Sequence, residues 1–188
     1  MLVLASASPR RADLLREAGF AFQTVPAHID ESEQAGESAE SYVERLAREK
    51  AEAVWRRRPE AFVLGADTTV VVDDTLLAKP LDGADAARML RLLAGRTHRV
   101  LTGACLLGPS GFSRAAVVST AVTFVPLSEA DIAWYVGTGE PLDKAGAYAV
   151  QGGASRFVAC IDGSFSNVVG LAMEVVAPWC REAGIQVS

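Results

Sequence analysis

An acidic side chain interrupts what is otherwise an apolar run. Asp67 lies inside residues 62–72, which predict a buried strand. A carboxylate there is costly unless it is paired, hydrogen-bonded or bound to a metal. Gly65, two residues earlier on the same strand face, leaves room for a ligand to approach the backbone. Asp67 is therefore a candidate catalytic residue, and the alternative is a structural aspartate satisfied by N–H groups or an arginine.

A basic side chain shows the same conflict on a predicted helix. Ser38 opens this helix, and its apolar stripe consists of Val43, Leu46, Ala47, Ala51 and Val54. Lys50 falls within that stripe, four residues after Leu46. Its ammonium must either meet an anion inside the fold or extend outward to solvent.

The first strand runs directly into a helix that begins with two arginines. Ser8 is a good N-cap, and Pro9 suits the first helical position. Arg10 and Arg11 oppose the helix dipole, which favours acidic groups in the first turn. The junction, with its free N–H groups, predicts an anion site, most naturally for phosphate. The alternative is a pair of solvated arginines.

Three further polar residues are weaker candidates. Lys79 precedes Pro80, and Lys144 lies in a glycine-rich segment, so each alone is consistent with a surface lysine. Gln151 precedes two glycines, and its amide suits the recognition of a base edge, although a turn residue is the alternative.

Taken together, these residues suit metal-assisted attack of water on a polyphosphate. Glu31 and Asp67 would hold Mg²⁺ or Mn²⁺ and activate water, while cations neutralise the phosphates. The candidate cations are Arg10, Arg11, Lys50 and Lys79. The sequence has no glycine-rich loop of the P-loop type, and its two histidines form no zinc-protease motif.

Composition narrows the class of protein. The chain has 188 residues, half of them hydrophobic, and a net charge of -5, which argues against a nucleic-acid surface. We expect one domain over residues 1–188, no membrane span and no secretion signal. The three cysteines are widely spaced and indicate buried thiols in a reducing cytoplasm.

Strand and helix patterns alternate along the chain, which predicts an α/β fold. Two long strands joined near residues 108–111 predict an antiparallel hairpin, so the sheet should be mixed. The predicted strands are 2–5, 22–25, 62–72, 76–78, 98–107, 114–125, 147–151 and 157–161. The predicted helices start at 8, 38, 83, 128 and 167, and Pro178 should kink or interrupt the last one.

Several ordered motifs resemble the Maf family of nucleoside triphosphate pyrophosphatases over essentially the whole chain. They are residues 5–11 (ASASPRR), 42–51 (YVERLAREKA), 65–68 (GADT), 79–80 (KP), 138–148 (TGEPLDKAGAY), 151–152 (QG) and 163–171 (GSFSNVVGL). Each motif alone is weak, whereas this number in this order is specific.

The resemblance implies hydrolysis of a nucleoside triphosphate to the monophosphate and pyrophosphate with a divalent metal. It implies an ITPase-like α/β fold, with a long curved mixed sheet flanked by helices, two lobes and a central cleft, and a homodimer. Asp67 is then the general base or metal-linked carboxylate, supported by Glu31. The phosphate and transition-state contacts implied are Ser6, Arg10, Arg11, Lys50 and Lys79, with Lys50 and Lys79 catalytic beside the two carboxylates. The residues implied in substrate choice are Arg10, Thr68 and Gln151.

Residues 143–148 and 151–152 resemble the branch that acts on dTTP and UTP, including modified pyrimidine nucleotides. The alternatives are the branch that acts on 7-methyl-GTP, a regulator of septum formation that acts by binding, and a nucleotide-binding module without turnover. Phe165 and Ala172 stand where the family usually has tyrosine and proline. Neither departure falls on the predicted phosphate site.

Overall fold

Seven strands and six α-helices make up the part of the chain that the computed structural model describes, residues 1–187. The strands are β1 Leu2–Leu4, β2 Phe22–Thr24, β3 Phe62–Val72, β4 Thr75–Leu77, β5 Thr97–Leu107, β6 Ser113–Phe124 and β7 Val158–Asp162. The helices are α1 Pro9–Glu17, α2 Ala39–Trp55, α3 Gly83–Leu93, α4 Glu129–Gly137, α5 Phe165–Val169 and α6 Met173–Glu182. None of these helices is long and apolar enough to cross a membrane.

The strands form one mixed sheet in the order β2-β1-β3-β5-β6-β7, with β4 paired to β3. β1 runs parallel to both β2 and β3, whereas β4 is antiparallel to β3 and β7 is antiparallel to β6. The predicted mixed α/β sheet flanked by helices is therefore confirmed. The central cleft of the sequence-based expectation stays a prediction.

The chain divides into two compact units. The first unit comprises residues 1–67, 102–118 and the chain from 170 onward, and the second comprises residues 68–101 and 119–169. Both boundaries of residues 68–101 fall inside long strands, β3 and β5, so no composition change marks them. A single domain over residues 1–188 stays a prediction.

β1 explains how the first unit is packed. Leu2 and Leu4 belong to an apolar cluster that includes residues of α1 and α6, whereas Val3 belongs to a second cluster with residues of α2. Successive side chains of a strand point to opposite faces, so both faces of β1 are covered. This double burial is why the strand is a continuous apolar run without alternating polar residues.

Most predicted elements are confirmed, and two predictions are wrong. Residues 147–151 form no strand; Ala147, whose φ is 59°, ends a short 3₁₀ turn, and residues 148–151 have no regular secondary structure. The predicted final helix is two helices, α5 and α6, separated at Gly170, whose φ is 128°. Pro178 lies inside α6 without ending it.

A buried histidine is the titratable centre of the aromatic cluster in the second unit. His98 is 2% exposed, and its Nε2 lies 2.7 Å from the hydroxyl of Tyr148. Its ring packs edge-on against Phe124 and Tyr148. Burial lowers the pKa of His98 to about 4, because the charged imidazolium is poorly solvated there.

We expect this histidine to make the protein sensitive to acid. A lowered pKa in the folded state means that the unfolded chain binds the extra proton first, so stability falls as the pH drops below 6.5 toward about 4. The loss over that range is about 3 kcal/mol. Urea unfolding over this pH range should show a smaller loss of stability in His98→Gln than in wild type. His28→Gln is the control, because His28 is exposed, and it should lose as much stability as wild type. Parallel curves for all three proteins would contradict the assignment.

Candidate active site

Two glycines allow α2 to lie directly on the sheet. A Cβ atom at Gly65 of β3 would lie 2.1 Å from the carbonyl oxygen of Ala47, and one at Gly103 of β5 would lie 2.2 Å from that of Val43. No real Cβ fits at such distances from helix backbone. The expectation that a ligand approaches the backbone at Gly65 is therefore wrong, since α2 occupies that space.

This close packing brings the side chain of Lys50 to Asp67. The Lys50 Nζ atom lies 2.7 Å from Asp67 Oδ1 and 2.9 Å from Glu31 Oε1, so one ammonium joins two carboxylates. Lys50 is 6% exposed and Asp67 is 7% exposed, whereas Glu31 is an exposed residue of the loop between β2 and α2. Lys50 thus meets anions inside the fold, which answers the question that the apolar stripe left open.

Burial is the largest influence on the pKa of Asp67. Desolvation raises the pKa of this carboxyl, and the nearby charges of Lys50 and Arg11 only partly offset the rise. Such a carboxylate accepts a proton more readily than a solvated aspartate does. Perturbed carboxyl groups beside fixed cations are typical of acid–base sites.

Arg11 turns inward from the first turn of α1 and is 9% exposed. Its Nε donates to the carbonyl oxygen of Gly170 at 2.8 Å, and its Nη1 donates to Ser6 Oγ at 3.1 Å. Burial lowers the pKa of Arg11, while the carboxylates of Asp67 and Glu31 oppose that change. Two buried cations, Arg11 and Lys50, therefore lie within electrostatic reach of the same two carboxylates.

The start of α1 differs in detail from the predicted cap. Ser8 stands at the N-cap, but its side chain makes no capping hydrogen bond. Its backbone N–H instead donates to Ser6 Oγ at 3.2 Å. The first turn contains no acidic residue, so cations alone face the positive end of the helix dipole. This arrangement favours an anion beside Ser6 and Arg11.

The structure places the predicted site residues in two groups. Ser6, Arg11, Glu31, Lys50 and Asp67 come together in the first unit through the contacts above. Arg10 is half-buried in α1 of the same unit. The second unit holds Thr68, Lys79 and Gln151; Thr68 is half-buried next to Asp67 on β3, and the other two side chains are exposed. Binding and catalysis by these residues stay predictions.

Two residues that position Glu31 were missed from the sequence. The Tyr42 hydroxyl donates to the carbonyl oxygen of Glu31 at 2.9 Å, and Arg45 Nη2 donates to that of Ser32 at 3.0 Å. Arg45 also forms a two-pronged ion pair with Glu37, with both N–O distances 2.7 Å. Burial and the charges of Asp67 and Glu31 raise the pKa of Tyr42 to about 12. Both residues lie in the segment 42–51 that carries the family resemblance, and that resemblance is the one signal that could have pointed to them.

The two carboxylates are too few for an all-protein metal site, but their oxygens fit a divalent cation whose other ligands are phosphate and water. Among residues 1–187, no group of three or more His, Cys, Asp or Glu side chains is arranged to hold a metal ion. Asp67 and Glu31 converge on one point, the Lys50 ammonium. Mg²⁺ is commonly bound by one or two carboxylates together with substrate phosphates and water. Two carboxylates are therefore compatible with that mode and not with an all-protein cage.

Comparison with known proteins gives a consistent result. Residues 1–183 match the family described as Maf-like protein. The dTTP/UTP pyrophosphatase of Koribacter versatilis (strain Ellin345) is 52% identical over 184 residues, which cover 98% of this chain and 95% of that protein. The protein of the same name from Anaeromyxobacter sp. (strain Fw109-5) is 54% identical over 187 residues, 97% of this chain and 89% of that protein.

A solved structure shares the fold at low sequence identity. The Staphylococcus aureus Ham1 protein aligns with a TM-score of 0.53 and 12% identity, covering 97% of this chain and 98% of that one. At this identity the likeness concerns the fold alone. It agrees with the predicted architecture of a mixed sheet flanked by helices.

The packing of α2 against β3 can be tested by adding a methyl group at Gly65. We expect Gly65→Ala to force α2 away from β3 and to lower the free energy of unfolding by about 3 kcal/mol, because the new Cβ meets helix backbone. Gly137→Ala is the control, since its Cβ would meet nothing within 4 Å. Urea unfolding measures both variants. Equal midpoints would show that α2 does not pack against Gly65.

Proposed function

The chain belongs to the Maf family, and we propose that it is a nucleoside triphosphate pyrophosphatase that acts on dTTP and UTP. The proposal is supported by the names of the two relatives, each of which is aligned over nearly its full length. It is also supported by the similarity of residues 143–148 and 151–152 to the branch that acts on these nucleotides. The products are then the nucleoside monophosphate and pyrophosphate.

The observation that carries the chemistry is the buried Asp67–Lys50 pair. A structural ion pair could be replaced by apolar residues without loss of stability, and the loss of hydration on burial makes this pair costly. A phosphoryl reaction, by contrast, needs both a base for water and fixed positive charge near the phosphates. Asp67 supplies the first and Lys50 with Arg11 supplies the second.

The proposed step is attack of water on the α-phosphorus. Asp67 takes a proton from the water, whose oxygen forms the new bond to phosphorus. The bond from that phosphorus to the bridging oxygen breaks, and its electron pair leaves with pyrophosphate. The charge of Lys50 favours the ionised form of Asp67 before the step, and burial makes that carboxylate a stronger base. Arg11, held by Gly170 and Ser6, offers its charge from a fixed position.

We further propose that Asp67 and Glu31 hold a divalent cation, Mg²⁺ or Mn²⁺, together with the substrate phosphates. When bound, that ion supplies charge neutralisation at the phosphate oxygens. Tyr42 and Arg45 fix the backbone at Glu31 and Ser32, so Glu31 is presented to Lys50 from a defined position.

The remaining site assignments come from the family resemblance. We propose that Ser6, Arg10 and Lys79 contact phosphate and that Arg10, Thr68 and Gln151 contribute to substrate choice. We also propose a cytoplasmic homodimer. Analytical ultracentrifugation at micromolar concentration measures the mass of the particle and so tests the dimer. A sedimenting monomer would overturn the homodimer proposal.

Pyrophosphate release is the direct test of the activity. With Mg²⁺ or Mn²⁺ we expect turnover of dTTP and UTP, and far slower turnover of CTP, GTP, ATP and 7-methyl-GTP. Asp67→Asn should lower kcat by about 10³-fold, because the amide cannot take the proton from water. Asp74→Asn is the matched control, since Asp74 is an exposed turn residue with a φ of 61°, which asparagine tolerates.

The other outcomes of this panel are equally informative. Turnover of 7-methyl-GTP in place of dTTP and UTP would keep the chemistry and overturn the pyrimidine assignment. Full activity of Asp67→Asn would remove Asp67 as the base. If folded wild-type protein turned over no triphosphate, a regulator or a binding module would be favoured.

Asp67 also predicts a stability difference that depends on pH. Its pKa is raised in the folded state, so the folded protein keeps this proton longer than the unfolded chain, and stability is lost as the pH rises through the folded-state value. Asparagine is neutral throughout. Because both proteins share the change that comes from His98, the informative quantity is their difference: as the pH rises from about 4 to about 7, the free energy of unfolding in urea should decrease in wild type relative to Asp67→Asn. A gain of wild type over the variant would show that attraction by Lys50 outweighs burial.

A further inference from the structure

The carboxylate of Glu140 uses both of its oxygens on neighbouring parts of the second unit. Glu140 begins a short 3₁₀ turn just after α4. Its Oε1 accepts from the Tyr135 hydroxyl at 2.9 Å, and its Oε2 accepts from the backbone N–H of Gly153 at 3.1 Å. Carboxylate hydrogen bonds of this kind are stronger than those between neutral groups.

Tyr135 extends the same contact to a second backbone position. The side chain is fully buried, and its hydroxyl oxygen accepts from the N–H of Ala149 at 3.3 Å. Ala149 and Gly153 flank Gln151 by two residues on each side. The Tyr135–Glu140 pair therefore fixes both ends of the segment that carries Gln151, although residues 149–152 have no regular secondary structure.

Gly152 shows how closely the segment lies against the carboxylate. Its φ is 110°, a conformation that other residues rarely adopt, and a Cβ there would lie 2.6 Å from Glu140 Oε1. Gln151 itself is exposed. Its amide is thus available to a ligand, while the backbone on either side is held by one buried and one part-buried hydrogen bond.

We propose that Tyr135 and Glu140 are positioning residues that determine base selectivity through Gln151. This inference rests on the proposed function, in which Gln151 contributes to substrate choice. Uracil and thymine present an N–H donor beside a carbonyl acceptor, whereas cytosine presents an acceptor beside an amino donor. A primary amide can bond either pattern, so selection depends on the position from which it approaches. The held backbone defines that position.

Substitution of Glu140 tests the proposal by selectivity. Tyr135 and Gly153 donate to different oxygens of Glu140, and glutamine places an NH2 donor where one of those oxygens stood, so in Glu140→Gln one of the two contacts loses its acceptor. We expect the ratio of kcat/KM for UTP to that for CTP to fall about tenfold, mainly through KM for UTP, while kcat for UTP changes little. Tyr135→Phe, which retains the buried ring, should lower the same ratio. Glu129→Gln, an exposed residue of α4, is the control and should leave it unchanged.

A double-mutant cycle separates positioning from a general structural role. In the Gln151→Ala background, Glu140→Gln should change the UTP to CTP ratio less than twofold, because the group that it positions is already absent. Amide hydrogen exchange at Gly153 should be faster in Glu140→Gln than in wild type. A retained ratio in Glu140→Gln, or a further tenfold loss in the Gln151→Ala background, would overturn the proposal.

Failure of the proposed function is distinguishable from failure of this inference. Absence of pyrophosphate release from every triphosphate would overturn the first alone. Equilibrium dialysis with UTP and with CTP then measures the same ratio as affinities. A wild-type protein that binds the two nucleotides equally well would overturn the inference, since Glu140 would have no selectivity to confer.

Discussion

The ammonium of Lys50 is the interaction on which the rest of the site depends. It lies between the buried carboxylate of Asp67 and the carboxylate of Glu31, an exposed loop residue. A lone charge there would change its protonation state, so the three groups are stable only together. The buried guanidinium of Arg11 interacts with the same two carboxylates, so two positive charges offset two negative ones. Local electroneutrality is thus reached with groups that a reaction on phosphate can use.

Helix α2 is the element that builds this arrangement. Gly65 and Gly103 allow its backbone to pack directly on the neighbouring strands β3 and β5. From this position the side chain of Lys50 reaches Asp67. The same helix binds the loop backbone at Glu31 and Ser32 through Tyr42 and Arg45. The helix therefore sets the position of its own lysine and of one of the lysine's two partners. Glycine at these two strand positions is therefore required for the close packing of α2, and it does not leave space for a ligand.

The sequence predicted much of the fold and the anomalous residues of the site. β3 has the predicted bounds, and Asp67 and Lys50 stood out because a charge in an apolar pattern has a free-energy cost. The sequence could not show that Gly65 faces α2, since a missing side chain gives no sign of what fills the space. It also could not predict Arg11 turning inward toward Gly170, because that contact joins residues 159 positions apart. The strand predicted at 147–151 failed because hydrogen bonds to Glu140 and Tyr135 replace a sheet ladder there.

The hydrogen bond from Arg11 to the Gly170 carbonyl also bears on how the protein is made. The first unit is assembled from three separated stretches of chain, so residues 1–67 leave the ribosome long before residue 170 is synthesised. Until then the guanidinium of Arg11 lacks this carbonyl partner, and the core cluster lacks the apolar residues of α6. Closing such a long loop makes folding of the first unit a late event in translation. An incomplete nascent chain therefore cannot form the complete site. A chain truncated before Gly170 loses the hydrogen bond to Arg11, although the two residues are 159 positions apart in sequence.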